Sequence, residues 1–129
     1  MMEGAPAKRP KHLNLLVIRL PLPGIVSILH RVSGVLLIYA LPFLVWALAV
    51  AADSPAGYAQ VAAVFGHPLV KLLLLATIWA ALHHLCAGIR FLLLELRIGL
   101  ELETTRRLAG AVMAASLALT AVCGWLLLL

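Results

Sequence analysis

Residues 32–52 read VSGVLLIYALPFLVWALAVAA, from Val32 to Ala52, without one charged side chain in 21 positions. A helix needs about 20 such residues to cross the hydrocarbon core of a bilayer. The run does not alternate apolar and polar positions, so a half-buried strand is excluded. Pro42 inside it is tolerable, because membrane helices accommodate proline with a kink. Two further runs match it. Leu72–Ile89 covers 18 residues between Lys71 and Arg90, and Leu108–Leu129 covers 22. Three spans are therefore expected, in an all-α integral membrane fold.

Composition agrees. Of 129 residues 64% are hydrophobic and 12% charged, against roughly 45–50% and 25% in soluble domains. Such a chain lacks the polar surface of a soluble globule. Disorder needs low hydrophobicity and is excluded too. Two cysteines do not make a disulfide scaffold, and Cys86 and Cys123 are expected at different depths. One domain is expected: an N-terminal interfacial segment 1–23, spans at 24–52, 68–96 and 108–129, and connections 53–67 and 97–107. Within the first connection Asp53-Ser54-Pro55 has the chemistry of a helix start, so Pro55 to about Phe65 is expected as a short surface helix. Gly66-His67-Pro68 opens the next helix, and Thr104 or Thr105 is expected to cap the third.

Charge gives an orientation. Lys8, Arg9, Lys11, Arg19 and Arg31 precede or open the first span. Arg90, Arg97, Arg106 and Arg107 surround the second connection, and the first connection has no basic residue other than His67. The positive-inside bias puts the N-terminus and the second connection in the cytoplasm, with the C-terminus periplasmic. The net charge of +5 suits an anionic leaflet. No cleavable signal is recognised, and a bacterial inner-membrane, multi-pass protein is expected.

Ionisable residues within spans are costly and point to function. Ser27, His30, Arg31 and Gly34 recur at i, i+3, i+4 and i+7, which gathers them on one helix face. Arg31 lies seven residues past Gly24, about 10 Å along the axis. Snorkelling explains an arginine at that depth but not its co-facial serine and histidine. The second group is His83-His84-Leu85-Cys86-Ala87-Gly88-Ile89-Arg90. His84 shares a face with Thr77, Ala80, Ala81, Ala87 and Gly88, and His83 with Trp79 and Cys86. A stripe of small residues packs helices or makes a slot for a flat cofactor; both readings stand on the residues alone. His84 is sixteen residues beyond Pro68, about 24 Å, so it reaches the level of the first group. There is no C-x-x-C-H, so a haem would be held non-covalently. No nucleotide loop, zinc motif or nucleophile triad occurs, and no nucleic-acid partner is expected.

With these residues in view, the chain resembles the larger membrane anchor, the cytochrome b-556 subunit, of the succinate dehydrogenase family of respiratory complex II. The resemblance rests on Arg9-Pro10 with Leu13 and Leu15, Ile18-Arg19-x-Pro21, Ser27-Ile28-Leu29-His30-Arg31-Val32-Ser33-Gly34, and His84-x-x-x-Gly88-Ile89-Arg90. It implies one haem b, with His84 as an axial ligand of the iron and the second axial histidine supplied by the smaller hydrophobic anchor subunit. It implies ubiquinone bound by Ser27 and Arg31, with His30 and Arg31 near the haem propionates. It implies an iron–sulfur subunit and a flavoprotein subunit docked on the cytoplasmic face. Phe91 and Glu95 depart from the pattern, where the family often carries His and Asp. Glu95 keeps the charge, whereas Phe91 removes a possible polar contact. The competing readings are an anchor of a fumarate reductase and a non-redox helical scaffold, which differ in direction of turnover and in haem content.

Overall fold

A computed structural model of the chain describes residues 19–128, with side chains as far as Leu126. The segments carrying Lys8, Arg9, Lys11, Leu13, Leu15 and Ile18 lie outside the described residues. Four helices follow in order: α1 Leu22–Asp53, α2 Pro55–Phe65, α3 Pro68–Glu95 and α4 Leu102–Leu128. No strand occurs among the described residues. Three of the helices, α1, α3 and α4, are long and apolar enough to span a membrane, and the chain is a multi-pass helical membrane protein.

Local chemistry explains the breaks. Ser54 is extended (φ −159°, ψ 157°), and its side chain accepts a hydrogen bond from Gly57 N. With Pro55 in the first turn, this stops α1 and starts α2, and such a cap stabilises a helix by about 1 kcal/mol. His67 caps α3 through Nδ1, which accepts from Leu69 N at 3.3 Å. α3 ends with Ile98 N donating to Leu93 O and Arg97 N to Leu94 O, both 2.9 Å. This paired closure, a Schellman motif, needs a left-handed residue after the cap. Here that residue is Arg97, at φ 61°. Gly99 makes a second left-handed step (φ 79°), where an added Cβ would meet Leu108 Cδ1 at 2.7 Å.

The third span begins earlier than its hydropathy predicts. α4 starts at Leu102, ahead of the apolar run that opens at Leu108. Glu103, Arg106 and Arg107 form its first turns, with Arg107 Nε paired to Glu103 Oε1 at 3.0 Å. Thr104 and Thr105 therefore lie inside the helix rather than capping it. Thr105 Oγ1 instead donates to Gly99 O at 2.6 Å and ties the turn to the helix.

α3 is central and packs against both α1 and α4, while α2 lies against the end of α1. The interior is made of small side chains: Val26, Ala87, Ala109 and Val112, with Cys86 and Met113 at its edge. Small residues let backbones approach, which is how membrane helices gain packing energy without a hydrophobic drive. On α4 the buried positions are Ala109, Val112, Ser116, Thr120 and Gly124, spaced i, i+3, i+7, i+11 and i+15. Both cysteines are free.

Candidate functional site

The two histidine groups of the sequence meet where α1 crosses α3. His30 lies eight residues into α1 and His84 eleven residues before the end of α3, about 12 and 16 Å from the same end of the bundle. Their imidazoles stack, with centroids 4.1 Å apart and planes 16° from parallel.

His84 is tied down at one nitrogen. Its Nδ1 lies 3.1 Å from the His30 carbonyl and 3.3 Å from Ser33 Oγ. Ser33 spends its own hydrogen on the same carbonyl, at 2.8 Å. A carbonyl only accepts, so Nδ1 carries the proton and donates. Nε2 then holds the lone pair, and it makes no hydrogen bond among the described residues. An imidazole oriented through Nδ1 by a backbone carbonyl, with Nε2 open, is prepared to ligate a metal. The residues present thus fit a haem iron held by one histidine of this chain. Among the described residues no group of three or more His, Cys, Asp or Glu converges on a metal.

Two glycines make room for the pair. A Cβ on Gly34 would stand 3.1 Å from His84 Cε1, and one on Gly88 would stand 3.7 Å from His30 Nε2. Each glycine lies under the histidine of the opposite helix.

His83 takes a different place. It is fully buried between α3 and α4, with Nδ1 3.3 Å from Ser116 Oγ and its ring stacked on Trp79 at 5.2 Å. Its Nε2 is enclosed without a hydrogen-bond partner among the described residues. This corrects the expected faces. Ala80 and Ala87 lie on the buried stripe with His83 and Arg90, not beside His84. What His84 has around it is Gly34 across the interface and Gly88 one turn along.

The first-span stripe also divides. His30 and Gly34 turn toward α3, joined by Ser33, which is completely buried. Ser27 is half-buried and Arg31 exposed on the neighbouring flank. Neither makes a hydrogen bond or ion pair among the described residues. Their hydroxyl and guanidinium are open donors four residues apart, within the first three turns of α1.

Ser33 and Ser116 are not among the candidates that the sequence alone brings forward. Both had a signal. Ser33 follows His30 by one turn, and Ser116 belongs to the i, i+3, i+7 stripe of α4. An apolar groove between α1 and α3, about 290 Å³ and lined by Leu36, Ala40, Phe43 and Thr77 among others, lies away from the histidines. Its one hydroxyl, on Thr77, is spent on Leu73 O at 2.8 Å.

Fold and site together define an integral membrane helical protein with two histidines stacked between its first and third helices. The sequence matches the family described as succinate dehydrogenase/fumarate reductase transmembrane subunit over residues 5–123. It is 35% identical over 111 residues to the succinate dehydrogenase cytochrome b556 subunit of Paracoccus denitrificans, covering 86% of this chain and 85% of that one. The same-named subunit of Rickettsia felis is 32% identical over 113 residues, covering 88% of each chain. That of Coxiella burnetii is 35% identical over 91 residues, 70% of this chain and 73% of the relative. The chain belongs to the family of succinate dehydrogenase/fumarate reductase transmembrane subunits.

Proposed function

We propose that the chain is the cytochrome b anchor of a succinate:quinone oxidoreductase in a bacterial inner membrane. On this reading His84 would hold haem b through Nε2, together with a histidine of the smaller hydrophobic anchor subunit. The observation that carries it is the His84 imidazole, held at Nδ1 by the His30 carbonyl and open at Nε2. The name cytochrome b556, borne by the relatives, supports the cofactor. When bound, the haem supplies a one-electron carrier within the membrane.

The chain's own residues act at the quinone end. Reducing a quinone puts negative charge on its carbonyl oxygens, and donors already in place stabilise that charge. Ser27 Oγ donates a hydrogen bond to one carbonyl oxygen of ubiquinone. Arg31, permanently charged, holds the developing charge and acts more strongly in a low-dielectric site than in water. Arg31 and His30 would also hold the haem propionates through charge-assisted contacts. The iron–sulfur and flavoprotein subunits dock on the cytoplasmic face and carry succinate oxidation, which this chain does not touch. Segments 1–23 and 97–107 are assigned to that face and 53–67 to the periplasm, following the basic residues. The family description also covers fumarate reductases; the relatives' shared name favours succinate oxidation.

The test is a reduced-minus-oxidised visible spectrum of the complex purified through this chain, beside His84→Leu. A b-type α-band is expected in the first and its loss in the second. An assembled wild-type complex without haem would overturn the assignment. In the same complex Arg31→Leu is expected to lower quinone reduction at least tenfold, about 1.4 kcal/mol or more, with succinate oxidation by a soluble dye unchanged.

A further inference from the structure

His84, Gly88 and Phe91 occupy one face of α3 at i, i+4 and i+7. Gly88 leaves a gap between the two rings, and the His30 side chain of α1 enters it. Within the gap the His30 ring lies 4.1 Å from His84 and 5.1 Å from Phe91, centroid to centroid. The Arg90 guanidinium completes the row, 5.6 Å from the centre of the Phe91 ring. These are contact distances for aromatic and cation–π pairs.

The row constrains His84 in a way its hydrogen bonds do not. The bonds at Nδ1 fix one atom of the imidazole. They leave the ring plane free to swing, because the terminal torsion of histidine is broad. Contact with a second ring over its face removes that freedom. The His30 ring makes no hydrogen bond among the described residues, so its orientation rests on what packs against it. Phe91 closes the side of the gap opposite His84.

We propose that Phe91 is a positioning residue for His84: it wedges the His30 ring onto the His84 imidazole and thereby sets the plane of the iron ligand. The inference rests on His84 being a haem ligand. The plane of an axial imidazole and the polarity around it are levers by which a protein tunes haem. Phe91 acts on the first of these, as a rigid ring packed behind His30.

The experiment uses the purified, assembled complex and reads the ferric haem by low-temperature electron paramagnetic resonance and the reduced α-band. Phe91→Leu keeps apolar volume but removes the ring, and is expected to shift the largest g value and broaden the α-band while haem content stays at the wild-type level. Phe91→Tyr restores a ring and is expected to return the wild-type spectrum. The double Phe91→Leu/His30→Leu variant is expected to move no further than His30→Leu alone, since Phe91 acts through the His30 ring. Phe91→Leu spectra superimposable on wild type, or shifts that add in the double variant, would overturn the proposal while leaving the ligand intact. A wild-type complex with no haem signal overturns the ligand and this proposal together.

Discussion

Gly34 and Gly88 look alike in the sequence, yet the structure gives them opposite expectations. A Cβ at Gly34 would crowd His84 Cε1 at 3.1 Å, closer than most packed contacts allow, so the imidazole must give way. Gly34→Ala is expected to shift the haem spectrum and to destabilise the complex by about 1–3 kcal/mol, the usual cost of overpacking. At Gly88 the same atom would sit at 3.7 Å from His30 Nε2, an ordinary contact. Gly88→Ala is expected to leave the spectrum unchanged and to gain up to ~1 kcal/mol from lower backbone entropy. Thermal unfolding and optical titration of the two variants check both signs. The pairing of His30 with His84 was legible from depth, since both lie a similar distance from one end of their spans. The partition of His83 from His84 was legible only in part. Small residues flank both, and a helix apolar on every side does not announce which face is inward. It took the packing of α4, with Ser116 against His83, to separate an enclosed histidine from one open at Nε2.

Helix ends depend on chemistry within a few residues, and most were readable. Ser54-Pro55 and His67-Pro68 carry both a cap and a proline that suits a first turn, and α2 and α3 begin there. The end of α3 was less clear, because the residue in the left-handed position is Arg97 and not the nearby Gly99. An L-residue there costs roughly 1–2 kcal/mol relative to glycine. Arg97→Gly is therefore expected to raise the midpoint of thermal unfolding by an amount equivalent to about 1 kcal/mol, with haem spectrum and quinone reduction unaltered. An unchanged or lowered midpoint would mean that the Arg97 side chain contributes more than its backbone costs. The early start of α4 was not readable from hydropathy. Its first turns are charged, and they are held by Thr105 and by the Glu103–Arg107 pair rather than by apolar burial.

As a molecule the chain leaves most of its apolar surface uncovered. In the most apolar stretches of α1, α3 and α4 only 6%, 17% and 28% of residues are buried. Lipid satisfies much of this, but lipid does not satisfy the open nitrogen of His84 or the donors of Ser27 and Arg31. Produced without its partner subunits, the chain is expected to be colourless and to aggregate in detergent. Produced together with the smaller anchor subunit, it is expected to take up haem. Size-exclusion chromatography with detection at the Soret band distinguishes the two, and haem uptake by the chain alone would remove the need for a second axial ligand from a partner. Length and uninterrupted apolar runs settled the class of fold, because about 20 residues free of charge have one stable form in a bilayer. Periodicity brought Ser27, His30, Arg31 and His84 forward as candidates, because an ionisable group in a span is too costly to be idle. Neither could say which faces meet. That follows from side-chain packing between helices, where Gly34, Ser33, Gly88 and Phe91 fit around two imidazoles, and such complementarity exists only once α1 and α3 have come together.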